Sequence, residues 1–210
     1  MDLLSLVLSI PGLFLALSFH EFAHGYAAYL MGDNTARYNG RLSLNPMAHL
    51  DIVGTLCLLL FHFGWAKPVP INPANFRNHR KGIIVVSLAG PFANFFLALV
   101  CTILCKLIYG FISTSQIAEF FYLISIYTVG MNVGLMVFNL IPIPPLDGSK
   151  ILGMFLPNRT YYNILQYERD AIFLIMFLSF TGAFDRIIGG GVSIFYDAII
   201  NVILKIFGLV

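Results

Sequence analysis

The feature that most constrains this chain is a long apolar run, Leu3–Met31, of 29 residues. A helix needs about 20 apolar residues to cross a bilayer, so this run predicts a membrane-spanning helix. Apart from tyrosines, its only ionisable side chains are His20, Glu21 and His24. Ionisable groups are costly at membrane depth, and those found there usually belong to functional sites. The second half of the first helix is therefore the candidate site.

The spacing of these three residues is typical of a zinc site. The stretch from His20 to His24 follows the pattern H-E-x-x-H, which places two imidazoles on one face of a helix within reach of one Zn²⁺. Glu21 lies between them and can take a proton from water beside the metal. The alternative is a pair of helix-packing histidines with a glutamate that extends to the interface. The position in the middle of the run disfavours that alternative.

Composition places the whole chain in the membrane class. Of its 210 residues, 59% are hydrophobic and 10% are charged, whereas soluble domains have about 25% charged residues. The apolar runs are continuous rather than alternating, which favours helices over a β-barrel. We predict an all-α polytopic membrane protein that lies in the lipid bilayer as one integral-membrane domain over residues 1–210. The net charge of +2 does not indicate a nucleic-acid partner, and no feature predicts an oligomeric state.

Long apolar runs predict about five to six transmembrane helices. The runs are Leu3–Met31, Gly82–Phe111, Ile117–Ile141, Ala171–Phe184 and Val192–Val210. A shorter run, Ile52–Trp65, falls below the length that a crossing helix needs, so we predict a short re-entrant segment there. Asn39-Gly40 precedes it and is a signal for a β-hairpin. We expect a catalytic core over about residues 1–150 and further helices over about 170–210.

Charge placement predicts an orientation. If the N-terminus lies outside and the five long runs cross in turn, only Lys106 and Arg186 of the 12 basic residues fall outside. The other ten are inside, as the positive-inside rule requires. His20 and His24 are nearer the cytoplasmic end of the first span. We therefore predict a multi-pass protein of the cell (inner) membrane whose site opens toward the cytoplasm. The acidic Asp2 favours retention of the first helix over its removal as a signal peptide.

A catalytic zinc ion takes three protein ligands, so the sequence should supply a third near an apolar segment. The acidic candidates are Asp51, Glu119, Asp147, Glu168 and Asp170. Asp147 is the best of them, because three prolines break the end of the third long span just before it, and irregular backbone at membrane depth requires a protein or water lining. Spacing alone leaves open a helix-terminus acid at the interface.

Other polar residues have two interpretations each. Asn139 and Asn94 can donate a hydrogen bond to a developing oxyanion, or they can join helices to one another. His49 and Asp51 are rival ligands, or partners that orient a bound imidazole, although a plain interfacial role is the more common one.

Three motifs together resemble the site-2 protease family of intramembrane zinc metalloproteases. They are His20-Glu21-x-x-His24, then Ala89-Gly90-Pro91-x-x-Asn94, then Asn139-x-x-Pro142 leading to Leu146-Asp147-Gly148. The stretch Gly64-Trp65-Ala66-Lys67-Pro68-Val69-Pro70 resembles the compact branch that lacks PDZ and CBS domains. The resemblance extends to about residue 150.

This resemblance implies a site and an activity. One Zn²⁺ per chain would be bound by His20, His24 and Asp147, with Glu21 as the catalytic acid and base and Asn139 as a further site residue. The implied activity is an endopeptidase that cleaves a transmembrane protein or peptide within its span.

Two other functions are compatible with the sequence. A prenyl-protein-type membrane metalloprotease also carries H-E-x-x-H, but it would take a glutamate as the third ligand, and neither Glu119 nor Glu168 lies in a matching motif. A metal-binding channel or transporter would line a path with histidine and aspartate, but it has no need of Glu21 and usually shows repeated halves.

Overall fold

The computed structural model describes residues 3–51, 53, 54, 57, 65–112 and 116–183, with a few isolated residues beyond. The secondary structure of this part is helical. The helices are α1 (Leu3–Met31), α2 (Thr35–Tyr38), α3 (Pro46–His49), α4 (His79–Ile112), α5 (Gln116–Leu140), α6 (Asp147–Gly153), α7 (Asn158–Leu165) and α8 (Glu168–Phe180), and Pro73–Asn75 form a 3₁₀ turn.

Three of these helices are long and apolar enough to cross a membrane. The spans are Val7–Met31 in α1, His79–Cys105 in α4 and Ile117–Leu140 in α5. Each of the three packs against the other two. Large apolar side chains point away from the bundle; Phe92, for example, is 68% exposed. An apolar exterior suits lipid rather than water, so the described residues agree with the prediction of an all-helical membrane protein.

Small residues allow the spans to approach closely. A Cβ atom on Gly12 in α1 would lie 2.7 Å from the Cα atom of Thr128 in α5, so only glycine fits this contact. Between α4 and α5, Ala98, Val133 and Met136 belong to one buried cluster. Close backbone approach of this kind is how helices associate in lipid, where burial of apolar surface does not drive packing.

The predicted count of five to six spans is not reached in the described residues. α8 covers most of the run Ala171–Phe184 but has 13 residues, which makes it about 20 Å long, whereas the hydrocarbon core is about 30 Å thick. Most of the run Val192–Val210 lies outside the described residues. An apolar run does not reveal where a helix ends, and α8 is shorter than its run.

The segment predicted to be re-entrant has its two ends together. Leu50 and Ala66 form an antiparallel bridge, and the N–H of Lys67 donates to the carbonyl of His49 at 2.8 Å. A single crossing would separate the ends by about 30 Å, so the contact between the ends disfavours a single crossing, and the re-entrant path stays a prediction. Most of the residues between these ends lie outside the described part of the chain.

The β-hairpin predicted at Asn39-Gly40 is wrong. These residues end the short helix α2 instead: the N–H of Asn39 donates to Thr35 O and that of Gly40 to Arg37 O. Gly40 has φ of +64°, the left-handed conformation that commonly terminates helices. The same Asn-Gly pair suits both a hairpin turn and a helix end, and no strand flanks it among the described residues.

An extended segment, which we call the strap (residues 67–71), lies across α1. Its far end is fixed by Asp33, whose carboxylate accepts from the N–H of Asn72 at 2.7 Å and from Nδ2 of Asn75 at 2.8 Å. Thr35 donates to the same carboxylate through its N–H and its hydroxyl. Burial alone would raise the pKa of Asp33, but these hydrogen bonds outweigh it and lower the pKa below its usual value.

We expect Asp33→Asn to destabilise the protein by about 2 kcal/mol near neutral pH, because an amide replaces an acceptor that takes several charge-assisted hydrogen bonds. A depressed pKa stabilises the fold above the unfolded-state pKa, and this contribution is lost as the pH falls through the folded-state value. Thermal unfolding in detergent at pH 7 and in steps down to pH 3 measures it. The difference between wild type and variant should shrink toward acid; a constant difference would contradict this account of Asp33.

Candidate metal centre

In helix α1, the side chains of His20 and His24 lie next to each other. His20 and His24 are four residues apart, and their ring centroids are 4.6 Å apart. The Nε2 atoms of the two rings are 3.0 Å apart. Both side chains are buried, although they lie in a helix whose outer face is apolar. The H-E-x-x-H spacing therefore produces the convergence that the sequence predicted.

Asp147 reaches the same point from the start of α6. Residues 141–146 break the chain after α5, and α6 then begins at Asp147. Oδ2 of Asp147 lies 3.3 Å from Nε2 of His20 and 3.0 Å from Nε2 of His24. Gly148 is required for this turn, because a Cβ atom there would overlap the carbonyl oxygen of Leu140. His20, His24 and Asp147 form a buried group of side chains that can hold a metal ion.

The outer nitrogens of both rings are hydrogen-bonded to oxygen atoms. Nδ1 of His20 lies 2.6 Å from Oδ1 of Asn94, and Nδ1 of His24 lies 2.7 Å from the carbonyl oxygen of Val86. An oxygen acceptor requires that Nδ1 carry the proton in each ring. Each Nε2 of a neutral ring is then a bare lone pair that faces Asp147. Such outer partners fix the tautomer and orientation of metal-binding histidines.

The donor set fits zinc. Three lone-pair atoms converge within 3.3 Å, and Oδ2 of Asp147 is buried without a hydrogen-bond partner in the described part of the chain. Three acceptors repel one another unless a cation or a proton lies between them. Zinc bonds of about 2.0–2.1 Å in a tetrahedron place ligand atoms about 3.3 Å apart, close to the distances found. Two imidazoles and one carboxylate are a catalytic set that leaves the fourth position open.

The second oxygen of the aspartate has a separate partner. Nζ of Lys150 donates to Oδ1 of Asp147 at 3.2 Å, and its side chain is 45% exposed. Burial would raise the pKa of Asp147, and the Lys150 ammonium beside Oδ1 acts in the opposite direction and favours the ionised carboxylate. Oδ1 is bonded to Lys150, and Oδ2 is directed at the histidines.

The backbone of α4 forms one wall of the site. A Cβ atom on Gly90 would lie 2.5 Å from Nε2 of His24 and 2.7 Å from Nε2 of His20. The space that those atoms face is therefore open only because residue 90 has no side chain. The close contact that Gly90 permits is with the histidine pair itself.

Glu21 is held by the strap. Its Oε2 accepts the backbone N–H of Val69 at 2.9 Å. Val69 also packs on α1, since a Cβ on Gly25 would lie 3.2 Å from its Cγ1 atom. Nη2 of Arg41 donates to the carbonyl of Lys67 at 2.7 Å and supports the same segment. The general base that the sequence proposed is thus adjacent to the histidine pair in the chain and anchored at one oxygen.

The two predicted asparagines differ in their surroundings. Asn94 is fully buried, and its Nδ2 donates to Ala16 O at 3.0 Å and to Oδ1 of Asn132 at 2.9 Å. Both of its N–H bonds are used and its Oδ1 faces His20, which favours an orienting role over donation to an oxyanion; its predicted role in catalysis stays a prediction. Asn139 donates to Leu135 O in its own helix and keeps a second N–H. Its predicted role in catalysis stays a prediction.

The rival ligands have other partners. Nε2 of His49 donates to Ser43 O at 2.7 Å, and Asp51 accepts the N–H of Gly54 at 2.8 Å. Within the described residues, neither belongs to the group that can hold a metal.

The sequence analysis missed Asn132, Lys150 and the carbonyl of Val86. Asn132 could have been noticed as an asparagine in the middle of an apolar span. Lys150 could have been noticed as a basic residue one helical turn after Asp147. A backbone carbonyl leaves no signal in the sequence.

Similar proteins agree with this geometry. The chain is 37% identical over 180 residues to YwhC of Bacillus subtilis (strain 168), a protein named as a zinc metalloprotease; the match covers 82% of this chain and 80% of the relative. The chain belongs to this zinc metalloprotease family. Two proteins called Rip2, also named as zinc metalloproteases, are 28% identical. The match to the Mycolicibacterium smegmatis protein covers 86% of this chain and 69% of the relative. The match to the Mycobacterium tuberculosis (strain H37Rv) protein covers 82% of this chain and 67% of the relative. No family model and no solved structure matches.

For this zinc metalloprotease, we expect Gly90→Ala to abolish stoichiometric zinc binding. The new methyl group would take the space faced by both Nε2 atoms and push the imidazoles apart. Gly134→Ala is the matched control, because a Cβ there meets nothing within 4 Å. Zinc content of the purified variants, measured by elemental analysis, tests this. One zinc per chain in Gly90→Ala would show that the metal does not lie between these groups.

Proposed function

We propose that this zinc metalloprotease is an intramembrane endopeptidase of the site-2 type, compact branch, that uses one zinc ion per chain to cut transmembrane segments. The observation that carries the proposal is the depth of the site. His20 and His24 lie inside α1, and the groups that orient them, Val86 and Asn94, lie inside α4; both helices are long and apolar enough to span a membrane. A peptide bond that reaches these ligands must therefore come from within the bilayer.

The residues divide the chemistry among them. When bound, zinc would act as a Lewis acid on water and on the scissile carbonyl. Glu21 takes the proton of the attacking water and returns it to the leaving amine. The Val69 N–H holds one oxygen of this carboxylate, which restricts its rotation and reduces the reorganisation needed at each proton transfer. Asn139 is the remaining candidate donor to the oxyanion, through its second N–H.

The proposed substrate is a membrane protein or peptide with one or more spans. A substrate helix hides its peptide bonds in internal hydrogen bonds, so it must unwind locally before cleavage. We place the protein in the cell (inner) membrane with the site toward the cytoplasm. The N-terminus of α4 carries Arg80 and Lys81, and Arg37 and Arg41 follow α1, so basic residues gather at the end of the bundle nearer the histidines.

Both alternative functions are less well supported. A prenyl-protein-type site would need a glutamate ligand, but among the described residues the buried group that can hold a metal consists of His20, His24 and Asp147 and contains no glutamate. A channel or transporter gives no reason for Glu21 to be anchored beside the histidine pair, and the relatives are named as metalloproteases.

Glu21→Gln should lower cleavage of a tagged single-span peptide by about 10²–10⁴-fold, the usual contribution of a general base, with zinc still bound at one per chain. The assay uses purified protein in detergent with zinc, and the product is located by mass spectrometry. Glu119→Gln makes the same change at an exposed position far from the site and should cleave like wild type. Cleavage by Glu21→Gln at the wild-type rate would remove Glu21 from its role. Zinc binding by the wild type without cleavage of any span tested would favour the metal-binding alternative.

Val69→Pro should lower kcat about tenfold and leave KM and zinc content unchanged, because proline removes the N–H that anchors Glu21 while the neighbouring prolines already require extended backbone. Val69→Ala keeps the N–H and loses only side-chain packing, so it is the matched control. Steady-state kinetics on the same peptide separates the two. An unchanged or higher kcat in Val69→Pro would mean that the bond does not position the base for catalysis.

A further inference from the structure

A buried asparagine in the third span has no part in the chemistry described so far. Asn132 lies in the middle of α5 and is fully buried. A polar amide in such a span is costly unless its hydrogen bonds are made. Nδ2 of Asn132 donates to Thr128 O at 2.8 Å in the same helix, and Oδ1 accepts from Nδ2 of Asn94 at 2.9 Å. The second bond leads directly toward the metal site.

These bonds form a relay across all three spans. It runs from Thr128 O through Asn132 in α5 and Asn94 in α4 to His20 in α1. Each member has one orientation that satisfies its neighbours. If the amide of Asn132 rotated by 180°, its Oδ1 would face the carbonyl oxygen of Thr128 and its amino group would face the amino group of Asn94. Both hydrogen bonds would then be lost. A reversed Asn94 would set its oxygen against both Ala16 O and Oδ1 of Asn132.

The tautomer of His20 depends on the orientation of a neighbouring side chain, whereas that of His24 does not. His24 donates to the backbone carbonyl of Val86, which cannot reverse and can only accept. His20 relies on a side-chain amide, which presents either an oxygen or an amino group after a rotation of 180°. If the amino group of Asn94 faced Nδ1 of His20, that nitrogen would have to accept, and the ring proton would move to Nε2. The protonated Nε2 would then be unable to bind a metal.

We propose that Asn132 is a positioning residue for the zinc site: it fixes the orientation of the Asn94 amide and thereby keeps the lone pair of His20 Nε2 directed at the metal. This inference rests on the proposed zinc site, and it assigns a role to a residue of α5 that touches neither ligand nor substrate. Asn132 acts through Asn94, and the ligand whose tautomer it affects is His20.

The test is zinc affinity, measured by competition with a chelator on full-length protein in detergent. Asn132→Leu keeps the size of the side chain and removes both hydrogen bonds. It should weaken zinc binding about tenfold, which is the low end of the loss usually caused by removing a hydrogen-bond partner of a metal ligand. Asn132→Asp should restore affinity to within about threefold of wild type. In a buried site this acid is neutral, and it can donate to Thr128 O and accept from Asn94 as asparagine does.

A matched control separates positioning from packing. Val133→Ala alters the next residue of α5, which is also fully buried, and makes a cavity without touching the relay. It should lower the thermal stability of the zinc-free protein and leave zinc affinity within about twofold of wild type. If it weakens zinc binding as much as Asn132→Leu does at a comparable loss of stability, Asn132 is only structural. Should Asn132→Leu not fold, Asn132→Ala takes its place, because it removes the same bonds without overlap.

A double-mutant cycle tests whether Asn132 acts through Asn94. Asn94→Leu alone should weaken zinc binding at least as much as Asn132→Leu, and adding Asn132→Leu to it should cause no further loss. Equal affinity of Asn132→Leu and wild type, or additive losses in the double variant, would overturn the relay and leave the proposed function intact. Failure of the wild-type protein to bind zinc would instead overturn the proposed function, and the relay with it.

Discussion

The structure depends on one electrostatic constraint: three lone-pair atoms meet within 3.3 Å in the interior of a membrane helix bundle. Such a cluster is strongly unfavourable in a medium of low dielectric unless a cation satisfies it. The surrounding groups serve this arrangement. Val86 and Asn94 hold the imidazoles from behind, and Lys150 takes the other oxygen of Asp147. Gly90 contributes by having no side chain. These groups together hold the three ligand atoms in the arrangement that a bound zinc ion would require.

The polar region outside the spans is connected to this centre through the strap. Asp33 fixes one end of the strap and the His49–Lys67 pairing fixes the other, so the Val69 N–H between them is held against Glu21. Pro68 and Pro70 have no N–H groups, and few hydrogen bonds are therefore available to hold the segment. The orientation of the Glu21 carboxylate is consequently sensitive to bonds made at Asp33, just beyond the end of α1. The fold and the chemistry share this one extended segment.

Similarity to known proteins supports the family of this protein, and the ligand geometry supports its metal. Relatives named as zinc metalloproteases establish the family, and they are silent on where in the cell or on what the protein acts. The ligand geometry supports zinc through the direction of lone pairs, independently of any relative. The intramembrane proposal depends on a third fact: the ligands and their partners lie within helices that are long enough to span a bilayer. The family assignment and the ligand geometry do not share a premise, whereas the intramembrane proposal uses the ligand assignment together with the lengths of the helices.

The sequence predicted what lies along one helix and missed what lies between helices. His20, Glu21 and His24 share a helix, so their spacing alone specifies their geometry. Asp147 required the further observation that prolines break the chain before it. Asn94 was identified as a candidate site residue, but its bond to His20 was not predicted, because that bond depends on which neighbours take its two N–H bonds, Ala16 O and Asn132. The hairpin at Asn39-Gly40 failed for a related reason: the pair allows a left-handed residue, and only the chain around it decides between a hairpin and a helix end. Sequence periodicity reports which residues belong to an element, whereas hydrogen-bond direction is decided by lateral contacts that periodicity does not contain.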